Sequence, residues 1–329
     1  MNKAAVWLLS AGVALFVAIL LSQGLPAVLS TLSHAGWGLL VVAAFHLLPL
    51  IIDAMAIVVL FARRTRRVFR DAVLVRWVGE SANSLMPAGQ LGGPVLMARH
   101  LAHLGMRMDD AAAAITISTT MQTFAQIMFA LIGVLLLGVH AGHLSQDALR
   151  TSALLASAFL AVQVGGFFWL QRRGMFGKVI GWVMRVSKKR DWSGLLHQAQ
   201  AIDAAVQSTY SQRAWPVVWC LLLNLAGWFV GVGEVYLITL FLGMPVTWAD
   251  ALLLESLGQA IRGAGFAIPG ALGVQEGGYL LLAPIAGLPP NAGVALSLAK
   301  RARELLLGLP GLLYLHLASR ATTRRAGFV

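Results

Sequence analysis

The chain has 329 residues, 58% hydrophobic and 12% charged, with a mean hydropathy of +0.77, so the bilayer rather than water is its solvent. Its net charge of +12 comes from 25 Lys and Arg against 13 Asp and Glu; the bases fall mostly between apolar runs, where they read as membrane-surface anchors and not as a nucleic-acid footprint. A single cysteine, Cys220, excludes an intrachain disulfide framework and a thiolate metal cluster.

Apolar runs at 4–22, 37–61, 111–139, 151–170 and 214–242 predict five spans, each long enough at about 1.5 Å per residue to cross the hydrocarbon. The first is longer than a signal-peptide core and reads as a retained span. None shows the period-two alternation of barrel strands. The gap after the second run holds Arg63, Arg64, Arg66, Arg67 and Arg70, and the stretch after the fourth holds Arg172, Arg173, Lys178, Arg185, Lys188, Lys189, Arg190 and Arg213. The gaps at 23–36, 140–150 and 243–250 hold only Arg150. This asymmetry predicts that the N-terminus, both Arg-rich segments and the tail with Arg320, Arg324 and Arg325 are cytoplasmic.

Residues 80–95, ESANSLMPAGQLGGPV, have Arg70 before them and Arg99, His100, His103 and Arg107 after them, so both flanks belong to the basic side. The segment is expected to enter the membrane and return. Irregular backbone at that depth persists only where protein or a water-filled cavity shields it, and Pro87, Gly89, Gly92, Gly93 and Pro94 suit such a turn. Residues 255–278, ESLGQAIRGAGFAIPGALGVQEGG, repeat the pattern: the same Glu-Ser opening, then Pro269, Gly270, Gly273, Gln275 and Gly277. The Glu-to-proline separations, 7 and 14 residues, are near whole helical turns and place each Glu on its proline's face. Two broken segments entering from opposite sides predict an inverted repeat with a substrate site near the midplane.

The expected fold is therefore an all-α polytopic membrane protein, an inverted repeat with two broken or re-entrant helical hairpins. It forms a single membrane domain over 1–329, with halves 1–170 and 214–329 joined by the basic cytoplasmic segment 171–213. Within that segment, 192–210 reads as an amphipathic helix whose face carries Leu195, Leu196, Ala199, Ile202, Val206 and Thr209, lying along the bilayer or the bundle base.

The intramembrane ionisable residues are Asp53, Glu80, Glu234, Glu255, Glu276 and Glu304 against Arg76, Arg262, Lys300, Arg301 and Arg303. Charges at depth are costly and mark substrate paths by default. One reading has the bases bind an anionic or hydroxyl-rich lipid headgroup, with the acids as counter-ions or proton-coupling groups and Asn83, Gln90 and Gln275 sharing hydrogen bonds with hydroxyls. A second has all of them pair internally as scaffold. A third is a lipid transferase with Glu80 or Glu276 as base. The pairs His100/His103 and His140/His143 are too few for a metal site, and Asp109 and Asp110 suit a helix start. There is neither a dinucleotide fingerprint nor a P-loop; no metal and no cofactor are expected.

The blocks WVGESANSLMPAGQLGGPVLMAR and AIPGALGVQEGGYLLLAPIAGLPPNAGVALSLAKRARELLLGLPGLL resemble the lysylphosphatidylglycerol-synthetase transmembrane, or flippase-like, family, and within it the members associated with hopanoid biosynthesis. The resemblance implies a bacterial inner-membrane protein that handles lipid without catalysing a reaction. The expected cargo is a hopanoid or an anionic phospholipid moved toward the outer leaflet or outer membrane, an aminoacyl-phospholipid being the alternative. Anionic inner-leaflet lipids are the expected neighbours, nucleic acid is not a partner, and a homodimer is one open oligomeric state. The motif positions that carry over are Glu80, Asn83, Pro87, Gln90, Gly92 and Gly93, then Pro269, Gly270, Gly273, Gln275, Glu276 and Gly277, then Lys300, Arg301, Arg303 and Glu304. Larger relatives append a soluble aminoacylating domain, which is not expected here.

Overall fold

The computed structural model describes residues 33, 35–86, 89–140, 158, 161–162, 165–186, 193–265 and 268–326, and among them it is helical with no strand. The predicted span 4–22 and most of 151–170 lie outside the described residues. Three helical stretches are long and apolar enough to cross a membrane: Gly38–Val58, Met108–Leu137 and Ala214–Phe241.

The first stretch divides at His46 into α1 (Gly38–Phe45) and α2 (Leu47–Val58). Pro49 has no N–H to return to Phe45, so the helical ladder is interrupted there while the chain keeps its direction. Next come α3 (Arg66–Leu85), α4 (Gly89–His103) and α5 (Met108–His140). After these lie α6 (Met175–Val186), α7 (Ser193–Gln212) and α8 (Ala214–Phe241). Leu131 and Leu135 of α5 and Leu222 and Leu240 of α8 are exposed, as suits a lipid solvent, while small residues such as Ala114, Ala125 and Ala130 are buried. Without a hydrophobic drive between helices in lipid, close packing holds them. Gly38 sits against the Phe241 ring, Gly233 against Phe45 and Gly227 against Asp53, while Phe129 stacks on Trp228 at 5.9 Å.

Helices α3 and α4 form an antiparallel hairpin. Gly79 faces Met97 and Gly93 faces Asn83; a Cβ on Gly93 would lie 2.0 Å from Asn83 Oδ1, so only glycine permits this approach. Thr65 caps α3 by accepting from Val68 N at 3.3 Å, and Arg67 donates to the Leu104 carbonyl at 3.0 Å, which ties the two basic outer ends together.

A second hairpin pairs α9 (Trp248–Ala264) with α10 (Val274–Leu282). Thr247 and Asp250 close a capping box at its start. Gly265 lies on Val274, Gly278 on Ile261 and Gly258 on Tyr279, which fixes the antiparallel register. The turn between the arms includes a short 3-10 segment, Pro269–Ala271, and needs left-handed backbone at Gly270 (φ 63°) and Gly273 (φ 78°). Because α9 stops at Ala264, the expectation that Glu255 and Pro269 share one helical face fails; the helical count cannot be carried through a turn.

A further turn with Gly287 at φ 71° leads into α11 (Pro290–Ala326). Its outer face carries Leu305, Leu309, Leu313 and Leu317, four residues apart and exposed, whereas Ala295, Leu296, Ala299, Lys300 and Arg303 are buried on the inner side. Of the two positions expected for the amphipathic segment, α7 takes the bundle base: Val206 and Ile202 pack with Ala113, Ile117 and Met121 of α5. Asp203 of α7 accepts from Phe176 N at 3.0 Å and Gly177 N at 2.6 Å, satisfying the first amides of α6. Arg213 donates to the Leu60 and Phe61 carbonyls at 2.6 and 3.2 Å beyond the end of α2.

Candidate functional site: a buried ion network beside a cavity

The turns of the two hairpins meet. A Cβ on Gly270 would lie 3.5 Å from the Ser84 carbonyl, and the Leu85 side chain packs onto Gly308 of α11. Between the hairpins and α2, α5 and α8 lies a cavity of about 440 Å³. Of the residues expected from the sequence, Glu80, Asn83, Glu255, Arg262, Arg303 and Glu304 form part of its wall. His46, Asp53, Arg76, Ser84, Thr119, Gln122, Thr123, Gln126, Glu234 and Gln259 complete its polar surface.

Every ionisable side chain in this region has an opposite partner. Arg76 donates to Asp53 at 2.6 Å, with Gln122 hydrogen bonded to both. Lys300 meets Glu255 at 2.6 Å, Arg262 donates to Glu304, and Arg303 bridges Glu234 at 3.1 Å and Glu80 at 3.2 Å. His46 also lies between Glu80 and Glu234, at 2.6 and 2.7 Å. Lys300, Glu234, Glu255, Arg303 and Glu304 are buried, and isolated charges there would cost several kcal/mol each. Mutual pairing, with Gln and Tyr side chains filling the remaining hydrogen-bond positions, lets them stay.

Gln275, Glu276, Lys300 and Arg301 stand behind the cavity wall. Glu276 accepts from Gly273 N at 2.7 Å, from Arg301 Nε at 2.7 Å and from Ser297 Oγ at 3.1 Å, and Gln275 donates to Ser297 at 3.0 Å. These contacts fasten the turn of the second hairpin to α11. Gly277, expected in the turn, lies within α10, where its N–H donates to the Gly273 carbonyl at 2.9 Å as a helical bond. In the first hairpin Gly89 opens α4, and Gly92, Gly93 and Pro94, expected in the turn, lie inside that helix instead. Pro87 and the side chains of Gln90 and Pro269 lie outside the described residues.

The two Glu-Ser pairs sit alike. Each Glu reaches a cation of α11, Glu80 to Arg303 and Glu255 to Lys300. Each Ser donates to the carbonyl four residues back, Ser81 to Trp77 at 2.7 Å and Ser256 to Leu252 at 2.6 Å, and seats a glycine of another helix, Gly311 and Gly133 respectively.

Two residues of the cavity wall each keep one buried atom without a hydrogen-bond partner, Arg76 Nε and Asn83 Oδ1, the latter turned toward Gly93. Among the described residues no group of three His, Cys, Asp or Glu side chains is arranged to hold a metal ion.

Sequence reasoning missed His46, Gln122, Gln126 and Gln259. The signal for His46 was present: it interrupts an apolar run, and it precedes Asp53 by 7 residues, two helical turns, which puts both on one face. The glutamines carry no charge and gave no comparable signal.

The family model for the lysylphosphatidylglycerol synthase transmembrane region matches residues 6–311, a range that includes both hairpins and the charged part of α11. No curated protein and no solved structure gives a match. With three stretches able to cross a bilayer, this is a membrane protein, and the chain belongs to the lysylphosphatidylglycerol synthase transmembrane-region family.

Proposed function

We propose that the protein is a lipid translocase of the bacterial inner membrane, with its N- and C-termini cytoplasmic, that carries a hydroxyl-rich hopanoid toward the outer leaflet, the cargo suggested by its resemblance to the members associated with hopanoid biosynthesis. The observation that carries this reading is the polar cavity at the meeting of two hairpin turns, the position expected of a site between two repeats of opposite orientation. The equivalent seating of the two Glu-Ser pairs supports treating the hairpins as such repeats, each re-entrant from its own side. Rocking of one against the other opens the cavity to one leaflet at a time. The headgroup lodges in the cavity while the apolar body stays in the lipid.

The chemistry of the wall bears on the cargo. Arg76, Arg262, Lys300, Arg301 and Arg303 are all already paired with acids, so an anionic phospholipid finds no unengaged cation among them. A polyol finds neutral polar groups instead: the hydroxyls of Ser84, Thr119 and Thr123 and the side-chain amides of Gln122, Gln126 and Gln259. The excess of one acid over the Lys and Arg residues supports a second reading, in which the ammonium of an aminoacyl-phospholipid enters beside Glu80.

The test is reconstitution of the full chain in vesicles with a fluorescent hopanoid polyol in one leaflet. Exchange well above protein-free vesicles and above a Glu276→Gln/Arg301→Ala variant, which loses the anchor of the second hairpin, is expected. No excess exchange overturns the proposal. Covalent product from phospholipid or prenyl donors would move the assignment to a transferase.

A further inference from the structure

His46 has a carboxylate on each ring nitrogen: Nε2 lies 2.6 Å from Glu80 Oε1 and Nδ1 2.7 Å from Glu234 Oε2. A neutral imidazole offers one N–H and one lone pair, and an ionised carboxylate only accepts. A neutral ring between two ionised carboxylates would therefore set lone pair against lone pair at hydrogen-bond distance. The contacts require one further proton, on the ring, on Glu80 or on Glu234. The charge count agrees. Asp53, Glu80, Glu234, Glu255, Glu276 and Glu304 make six acids, Arg76, Arg262, Lys300, Arg301 and Arg303 make five bases, and one proton restores neutrality.

The charged groups around the ring come from three helices. Glu80 is on α3 and Glu234 on α8, Arg303 Nη1 of α11 lies 3.3 Å from Nε2, and Lys300 of α11 lies 4.0 Å from Glu234. The Asp53–Arg76 pair stands farther along the same wall, where α5 contributes only neutral side chains, Thr119, Gln122, Thr123 and Gln126. Glu80 is the most accessible member of the triad, its side chain 24% exposed against 14% for His46 and 3% for Glu234, so the proton reaches water through Glu80 and the cavity.

We propose that His46, Glu80 and Glu234 form a proton-binding site and that its proton exchanges for the lipid headgroup, which makes the protein a proton–lipid antiporter; the exchange rests on the translocase reading above. When the proton leaves, Nε2 carries a lone pair and accepts from Arg303 Nη1, already 3.3 Å away. Glu80 is then released toward the cavity, where its carboxylate accepts from a headgroup hydroxyl. The N–H or carboxyl O–H bond is broken, an O–H bond forms in water, and no other covalent bond changes. Proton and headgroup compete for one carboxylate, so each expels the other.

The test uses the full chain in phosphatidylethanolamine and phosphatidylglycerol vesicles containing a fluorescent hopanoid polyol, with the membrane potential clamped by potassium and valinomycin. With one proton exchanged per lipid, a gradient of one pH unit drives about tenfold enrichment of label in one leaflet. The enrichment is expected to vanish with a protonophore and in His46→Gln and Glu234→Gln. Label that equalises between leaflets regardless of the gradient overturns the antiport and leaves translocation standing. If no label moves under any condition, translocation falls and the antiport with it. The proton site is decided separately, on protein alone: nitrogen-15 histidine spectra, with His46 assigned by its loss in His46→Gln, and the infrared carboxyl band that Glu80→Gln or Glu234→Gln removes. An imidazolium or a protonated carboxyl supports the site; a neutral ring beside two ionised carboxylates overturns it.

Discussion

Lys300 and Glu255 are both buried and meet at 2.6 Å, which makes them interdependent. Lys300→Met strands Glu255 and is expected to cost about 3–5 kcal/mol of stability, whereas adding Glu255→Gln recovers most of that loss because no unpaired charge is left behind. Unfolding of the two variants in detergent checks the difference. Gly311 gives a steric counterpart: a Cβ there would lie 2.1 Å from Ser81 Oγ, while one on Gly293 would lie 2.2 Å from the Tyr279 carbonyl oxygen. Gly311→Ala is expected to cost about 1–3 kcal/mol and to be partly rescued by Ser81→Ala, as a double-mutant cycle of melting temperatures will read. Gly293→Ala has backbone in its way and no side chain to trim, so no such rescue is expected. The charged residues at these positions were legible in the sequence because ions at bilayer depth are costly enough to stand out one by one. Which of them face the cavity and which stand behind its wall, as Glu276 and Arg301 do, depends on the turn after α9 and was not legible.

The helices show the same division at a larger scale. The first hairpin could be read from a proline–glycine run with basic flanks and the second from its repeat of that pattern, since the cause of the break is local. The stopping point of α9 at Ala264 could not, because Gly258 and Gly263 lie within the helix and only Gly265 ends it. The amphipathic pattern of α7 left bilayer and bundle base equally open; burial of Val206 beneath α5 decides between them. The bond from Asp203 to the first amides of α6 joins two helices that the sequence left unconnected. Asp203→Ala is expected to loosen that start by about 1–2 kcal/mol, as loss of an N-cap does, with faster amide exchange at Phe176 and Gly177 and little change in α2.

For the molecule as a whole, the contact between Leu85 and Gly308 joins the turn of the first hairpin to the helix that holds the second. A Cβ on Gly308 would lie 3.2 Å from Leu85 Cγ, a separation within reach of disulfide geometry. In a Cys220→Ser background, Leu85→Cys/Gly308→Cys is expected to cross-link under oxidation and stop lipid exchange, with activity returning on reduction; undiminished exchange in the cross-linked protein would show that the two parts need not move apart. The charge on α11 also bears on how the protein is made. Lys300, Arg301 and Arg303 lie within four residues of one another, and at mid-membrane each costs about 2.5–3.5 kcal/mol on insertion, against about 0.3–0.6 kcal/mol gained per leucine. Its outer leucines cannot balance that alone. The acids that neutralise it are on α3, α8, α9 and α10, all earlier in the chain. Entry of α11 into the bilayer therefore has to wait for a partly assembled bundle to receive it, so a glutamate lost from an early helix is expected to show first as a biogenesis defect, with α11 left on the ribosomal side and the newborn chain degraded.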